Sequence, residues 1–251
     1  MQRIAAWTNL SETTFVLPPT SQTADYKLRI FTPRAELPFA GHPTIGSAHA
    51  VLEAGIVQPK AGKFRQECDA GIIDLTSEGS MLWLKAPPAS ISPLESKWIP
   101  ELEKSLGAKA VSPPLIVNVG PIWLVAELGS AKAVGALVPD MQSLSDVSNR
   151  LSIGGVTVFG ASDDGESAIH VRSFAPAHGI PEDPVCGSGN ISVAAYLVKS
   201  GQTERFGLRY TARQGMQLGR DGRVSIRISD SGKSLELGGE AVTCVEGTLR
   251  L

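Results

Sequence analysis

Apolar and polar positions along the chain sort into two kinds of segment. Short apolar-rich runs, several with period-two alternation, predict strands at "KLRIFTP", "GIIDLTS", "MLWLKAP", "LIVNVG", "IWLVAEL", "GVTVFGAS", "AIHVRSF", "VSIRIS" and "AVTCVEGTLRL". Two longer runs, "TIGSAHAVLEAG" and "ISVAAYLVKSG", carry apolar or small residues on nearly every face and end at Gly55 and Gly201. That pattern predicts helices buried all round, each closed by a glycine.

These elements recur in the same order. "LRIFTP" from Leu28 matches "VRSFAP" from Val171, and after a three-residue insertion in the second copy "PFAGHPTIGSAHAVLEAG" from Pro38 lies on "PVCGSGNISVAAYLVKSG" from Pro184 without gaps. Upstream, "ETTFV" from Glu12 falls on "GVTVF" from Gly155 at the same spacing. Ordered agreement of apolar positions, glycines and prolines points to an internal duplication. The expected fold class is α+β: two pseudo-symmetric domains, each a bent mixed β-sheet wrapped around a central buried helix. Pro-rich "KAPPASISP" and "VSPPL" bracket a boundary near residues 88–114, so the domains are expected at 1–110 and 111–251, with the last strand packing back on the first. Ahead of its repeat the second copy has "PPLIVNVGPIWLVAEL" and the start of a helix, "DMQSLSDVSNRL". The first copy has no counterpart, so its domain is expected to lack its first strands.

Composition narrows the function. With 251 residues, 42% apolar, 19% charged and a net charge of -2, the chain has no basic excess for nucleic acid or anionic lipid. It also has no apolar run near the ~20 residues that span a bilayer. A soluble, cytoplasmic protein with a small-molecule partner is expected. Three widely spaced cysteines, Cys68, Cys186 and Cys244, suggest neither a disulfide framework nor a metal site.

Candidate chemistry gathers at the two loops before the buried helices. Gly41 in one, and Gly187 and Gly189 in the other, either merely permit tight turns or present backbone N–H groups at a helix N-terminus that hold an anion across a cleft. Cys186 stands where a helix N-terminus lowers a thiol pKa, yet its repeat partner is Ala40, which leaves a two-thiol racemase without its second thiol. His42 follows Gly41 and precedes Pro43, so its imidazole can face a cleft and move protons. Asp183 matches Leu37, and Glu12 matches Gly155, so neither carboxylate is demanded by the repeat. Ser188 matches His42, and reads either as a hydrogen-bonding side chain or as a helix cap.

The segments "NLSETTFVLPP", "RIFTPRAELPFAGHPTIGSAHAVLEAG" and "DPVCGSGNISVAAYL" resemble the PhzF-like family of phenazine-biosynthesis isomerases and their relatives, which share the diaminopimelate epimerase-like fold. The resemblance covers nearly the whole chain. It implies a cofactor-free isomerase with its site between the two halves. The family's general acid/base glutamate falls on Glu12, its histidine on His42, its aspartate on Asp183 and its serine on Ser188; the loop residues Gly41, Gly187, Gly189 and Cys186 are expected to line the substrate, although Cys186 departs from the phenazine enzymes, which usually have a non-thiol residue there. Glu12 would move a proton between carbons of an allylic carboxylate, and a pKa raised by desolvation is expected for it. A homodimer follows on family grounds. Family members carry a strand pair and most of a helix before "NLSET", so completeness of the first domain stays open. Two other readings remain: a thiol at Cys186 allows a cysteine-assisted epimerase or racemase, and a first domain lacking its first strands allows a non-catalytic binding protein that keeps the fold.

Overall fold

The computed structural model describes residues 1–229 and 231–250. The chain forms two compact units, one of Met1–Lys85 together with the segment from Gly238 onward, the other of Ala86–Leu237.

The first unit runs α1 (Gln2–Thr8), β1 (Thr13–Leu17), β2 (Tyr26–Phe31), β3 (Glu36–Leu37), α2 (Gly41–Glu53), β4 (Lys63–Cys68), β5 (Gly71–Glu78) and β6 (Met81–Lys85). β1 and β2 are antiparallel, β2 and β4 parallel, and β4, β5 and β6 antiparallel, which makes a mixed sheet. Helix α2 packs on β1, β2 and β6 through Ile45, Ala48 and Val51.

The second unit holds β7 (Ser90–Pro93), α3 (Ile99–Leu106), β8 (Leu115–Asn118), β9 (Ile122–Ser130), α4 (Ala131–Gly135), α5 (Met141–Leu151), β10 (Gly155–Ala161), β11 (Ile169–Ala175), β12 (Ile180–Asp183), α6 (Gly187–Lys199), α7 (Thr203–Phe206), β13 (Arg209–Gln214) and β14 (Gly222–Ile228). Within β15 (Leu235–Gly239) the chain returns to the first unit. Helix α6 lies against β7, β8, β9, β10 and β14, so strands meet it on several sides. A separate apolar layer, built on Leu102, Leu106, Leu124, Leu144, Val156 and Phe174, joins α3 and α5 to β9, β10 and β11.

The hydrogen-bond registers repeat with the sequence. Thr14 opposes Ile30 as Thr157 opposes Ser173, and Ile30 opposes Leu37 as Ser173 opposes Asp183. Helices α2 and α6 begin at the matched Gly41 and Gly187, and the matched Gly55 and Gly201 lie just past their ends with positive φ of 66° and 71°. A glycine there turns the chain left-handed without a Cβ penalty.

Three expectations change. Helix α6 is buried from Gly189 to Leu197, but α2 leaves Ala50 and Glu53 exposed. Small residues read alike whether they pack or face water, so the pattern overstated its burial. Residues 240–250 form no strand, and Val242 and Val245 are exposed. Alternation there has no ladder to join. Conversely, β4 and β13 escape the apolar pattern because each turns a glutamine inward: Gln66 bonds Tyr26 and Thr44, and Gln214 bonds the α6 loop.

Candidate active site

In the first unit, β1 starts immediately after Glu12 and α2 brings His42 in its first turn. His42 Nε2 lies 3.0 Å from Glu12 Oε2, with the glutamate side chain only 9% exposed and the imidazole 34%. Burial raises the Glu12 pKa, but His42, by hydrogen bond and charge, and Ser11 outweigh it, so the carboxyl sits below its ordinary 4.5. This corrects the expectation of a raised value: the cation-capable neighbour wins over desolvation. Because the folded-state pKa is depressed, ionised Glu12 stabilises the fold above its unfolded pKa, and that contribution is lost as pH falls through the folded value. Denaturant titrations of wild type and Glu12→Gln at pH 7 and pH 3.5 are therefore expected to differ less at the lower pH; an unchanged difference contradicts the depressed value.

At α2 the N-cap is Ala40, which offers no side-chain oxygen. Thr44 N–H closes the first turn on Ala40 O, and Gly41 supplies the first helical N–H.

In the second unit, the matching helix start is more heavily bonded. Cys186 is the N-cap of α6, its Sγ accepting from Gly189 N–H at 3.3 Å and lying 3.7 Å from Ser188 Oγ. Ser188 is thus not the cap. Trp123 Nε1 donates to Ser188 Oγ at 3.0 Å. Gln214, fully buried, accepts from Cys186 N–H at 3.2 Å and Asn190 Nδ2 at 2.8 Å while its own Nε2 donates to Asp183 O at 2.7 Å. One amide thereby ties both ends of the loop. Asp183 Oδ1 accepts from Val185 N–H at 2.9 Å. Just before it, Glu182 makes a two-pronged ion pair with Arg172.

Gly189 has no room for a side chain: a Cβ would lie 2.5 Å from Ser173 Oγ and 2.9 Å from Thr157 Oγ1. Its N–H is committed to the Cys186 sulfur, which sets Gly189 apart from Gly41 and Gly187 among the expected anion-binding glycines. The thiol also departs from expectation. Burial, then the Asp183 charge, push the Cys186 pKa up, and the Gly189 N–H does not offset them. A protonated, enclosed sulfur is a poor nucleophile or base. In the native protein iodoacetamide is expected to alkylate exposed Cys244 and to spare buried Cys186 and Cys68; peptide mapping that finds Cys186 modified at a comparable rate contradicts this.

The sequence singles out Glu12 and His42, which the structure brings together, and Asp183 and Ser188 in the α6 loop, but not Trp123, Gln214 and Glu182, which bond to that loop or precede it. A glutamine inside an otherwise alternating "RYTARQ" was the one available sign of Gln214. Among the described residues, no group of three or more His, Cys, Asp or Glu side chains is arranged to hold a metal ion, and no helix is long and apolar enough to cross a membrane.

The family model for phenazine biosynthesis-like proteins matches residues 1–247. Antisense-enhancing sequence 1 of Schizosaccharomyces pombe is 46% identical over 98% of this chain and 87% of that protein. Trans-2,3-dihydro-3-hydroxyanthranilate isomerase of Pseudomonas chlororaphis is 36% identical over 100% of this chain and 88% of its own length. A crystal structure of the PhzF-family protein of Bacillus anthracis matches with a TM-score of 0.81 at 23% identity, over 96% of this chain and 85% of that one. This last likeness concerns the fold, which extends to proline racemase-like epimerases.

Proposed function

The chain belongs to the phenazine biosynthesis-like (PhzF) family, and from that premise we propose that it is an isomerase that shifts a proton within a small carboxylated substrate, with Glu12 as the acid/base. The carrying observation is the 3.0 Å approach of His42 to a carboxylate that is otherwise enclosed. Glu12, ionised, removes a proton from an activated carbon; the electron pair moves through the allylic system, and the Glu12 carboxyl returns the proton at another carbon of that system. Nothing is oxidised or reduced.

Burial and His42 act on Glu12 in opposite senses. A substrate group that draws the imidazole to itself leaves burial to strengthen the carboxylate's hold on the proton it must carry. Backbone N–H groups at Gly41 and Gly187 are assigned to the developing negative charge, and Asp183 and Ser188 to polar groups of the substrate. Cys186 is assigned to capping α6 and lining the loop, since a raised thiol pKa disfavours a cysteine-assisted epimerase. The proposal includes a cytoplasmic setting, with which the free cysteines agree, and a homodimer, which solution sizing tests.

The isomerase named for the P. chlororaphis relative supplies the probe. Wild-type chain is expected to convert trans-2,3-dihydro-3-hydroxyanthranilate or a close cyclic amino carboxylate. The Cys186→Ala variant is expected to retain most of that rate. Loss of all activity in Cys186→Ala with the fold intact would overturn the assignment of roles.

A further inference from the structure

Glu12 and Gly155 occupy equivalent places in the two copies, as do His42 and Ser188. In the first unit the Glu12 side chain partners His42. In the second, Gly155 has no side chain, and a Cβ there would lie 2.8 Å from Trp123 Cζ3 and 2.2 Å from Phe174 O. Gly155 pairs with Trp123 across the parallel β9–β10 ladder. The indole, on a residue only 5% exposed, fills the room next to Gly155, and its Nε1 donates to Ser188 Oγ at 3.0 Å. Each copy thus supplies a partner to the side chain at the second helical position, a carboxylate in one and an indole in the other.

The chemical consequence lies in the direction of the bond. An indole N–H only donates, so the Ser188 oxygen accepts, and its own proton points elsewhere. Cys186 Sγ, 3.7 Å away, is a second neighbour of that oxygen and can take its proton. We infer that Trp123 is the positioning residue of Ser188, occupying one lone pair of its oxygen and turning the hydroxyl proton away from the indole, so that it can pass from the Cys186 sulfur to an acceptor oxygen of the substrate. The inference rests on Ser188 touching the substrate, as proposed above, and adds what orients it and which kind of group it selects.

Two measurements test it. In protein labelled with 15N-indole tryptophan, Ser188→Ala is expected to move the Trp123 Nε1–H resonance and speed its exchange with water. An unmoved resonance would overturn the inference. With trans-2,3-dihydro-3-hydroxyanthranilate as substrate, Trp123→Phe, which keeps an aromatic ring of smaller size and removes the N–H, is expected to lower kcat/KM about tenfold, mostly through KM. In a Ser188→Ala background the same change is expected to lower it no further, because Trp123 acts through that hydroxyl. A purely space-filling indole would instead give additive losses, or none in Trp123→Phe, and either result overturns the assignment. If Ser188→Ala itself keeps the wild-type rate, the substrate role of Ser188 fails and the inference with it. If wild type does not turn the compound over, the function proposal loses its substrate and the indole resonance decides the Trp123–Ser188 contact.

Discussion

Glu12→Gln is expected to lower kcat by about 10²–10⁴-fold, the usual range for removal of a positioned general acid/base. The substitution is nearly isosteric and can keep a polar contact with His42, so circular dichroism should match wild type at neutral pH, the only stability lost being that of the ionised carboxylate. What disappears is the capacity to take up a proton. His42→Ala is expected to cost less and in a different way. Without the imidazole, burial is opposed by Ser11 but no longer by His42, and the Glu12 pKa should rise from below 4.5 toward or past that value. The acid limb of the pH profile then moves upward in His42→Ala. An acid limb that stays in place would show that His42 does not hold the carboxylate ionised.

Glu182→Ala is expected to destabilise the protein by about 3–5 kcal/mol, lowering Tm by roughly 10 °C, whereas Glu36→Ala leaves Tm nearly unchanged. These two glutamates occupy equivalent positions in the duplication and make the same two-pronged contact. Glu36 meets Arg29 at 2.7 Å through both prongs, with both side chains more than a third exposed. Water screens that pair, and such contacts contribute little. Glu182 meets Arg172 at 2.9 and 2.8 Å with side chains 7% and 6% exposed. Arg172 also donates to Val134 O and Leu137 O and lies over the Phe174 ring. Removing the glutamate therefore leaves a guanidinium inside the unit with only carbonyls to compensate it. Because Glu182 precedes Asp183, its loss should also loosen the loop that carries Asp183. Equal melting temperatures for Glu36→Ala and Glu182→Ala would refute the contrast.

The repeat was legible because its punctuation is chemical: an Arg-x-Phe-x-Pro strand end, a glycine opening each buried helix and another closing it. Those residues set the register and the helix bounds, and both recur in the two units. Glu12 and Asp183 stood out for the complementary reason that the repeat does not require them, and His42 and Ser188 because they share one position in it. What escaped was whatever depends on contacts distant in sequence. Trp123 reads as one more apolar position in "IWLVAEL", although its N–H orients Ser188, sixty-five positions away. Gln214 breaks an alternation and so hides a strand. The Glu12 pKa ran opposite to expectation because the resemblance implied desolvation of the carboxyl, whereas the distance to His42 is set by the fold. For Cys186 the helix terminus suggested a low pKa, yet enclosure and the nearby Asp183 charge prevail.

The claim that Glu12 carries a proton from one carbon to another is tested most directly by turnover of trans-2,3-dihydro-3-hydroxyanthranilate in D2O, followed by NMR. Wild type should yield an isomer bearing deuterium at the newly protonated carbon, since the Glu12 carboxyl exchanges with solvent between abstraction and return, and Glu12→Gln should yield almost none of that isomer. Formation of the isomer by Glu12→Gln at the wild-type rate would contradict the assignment.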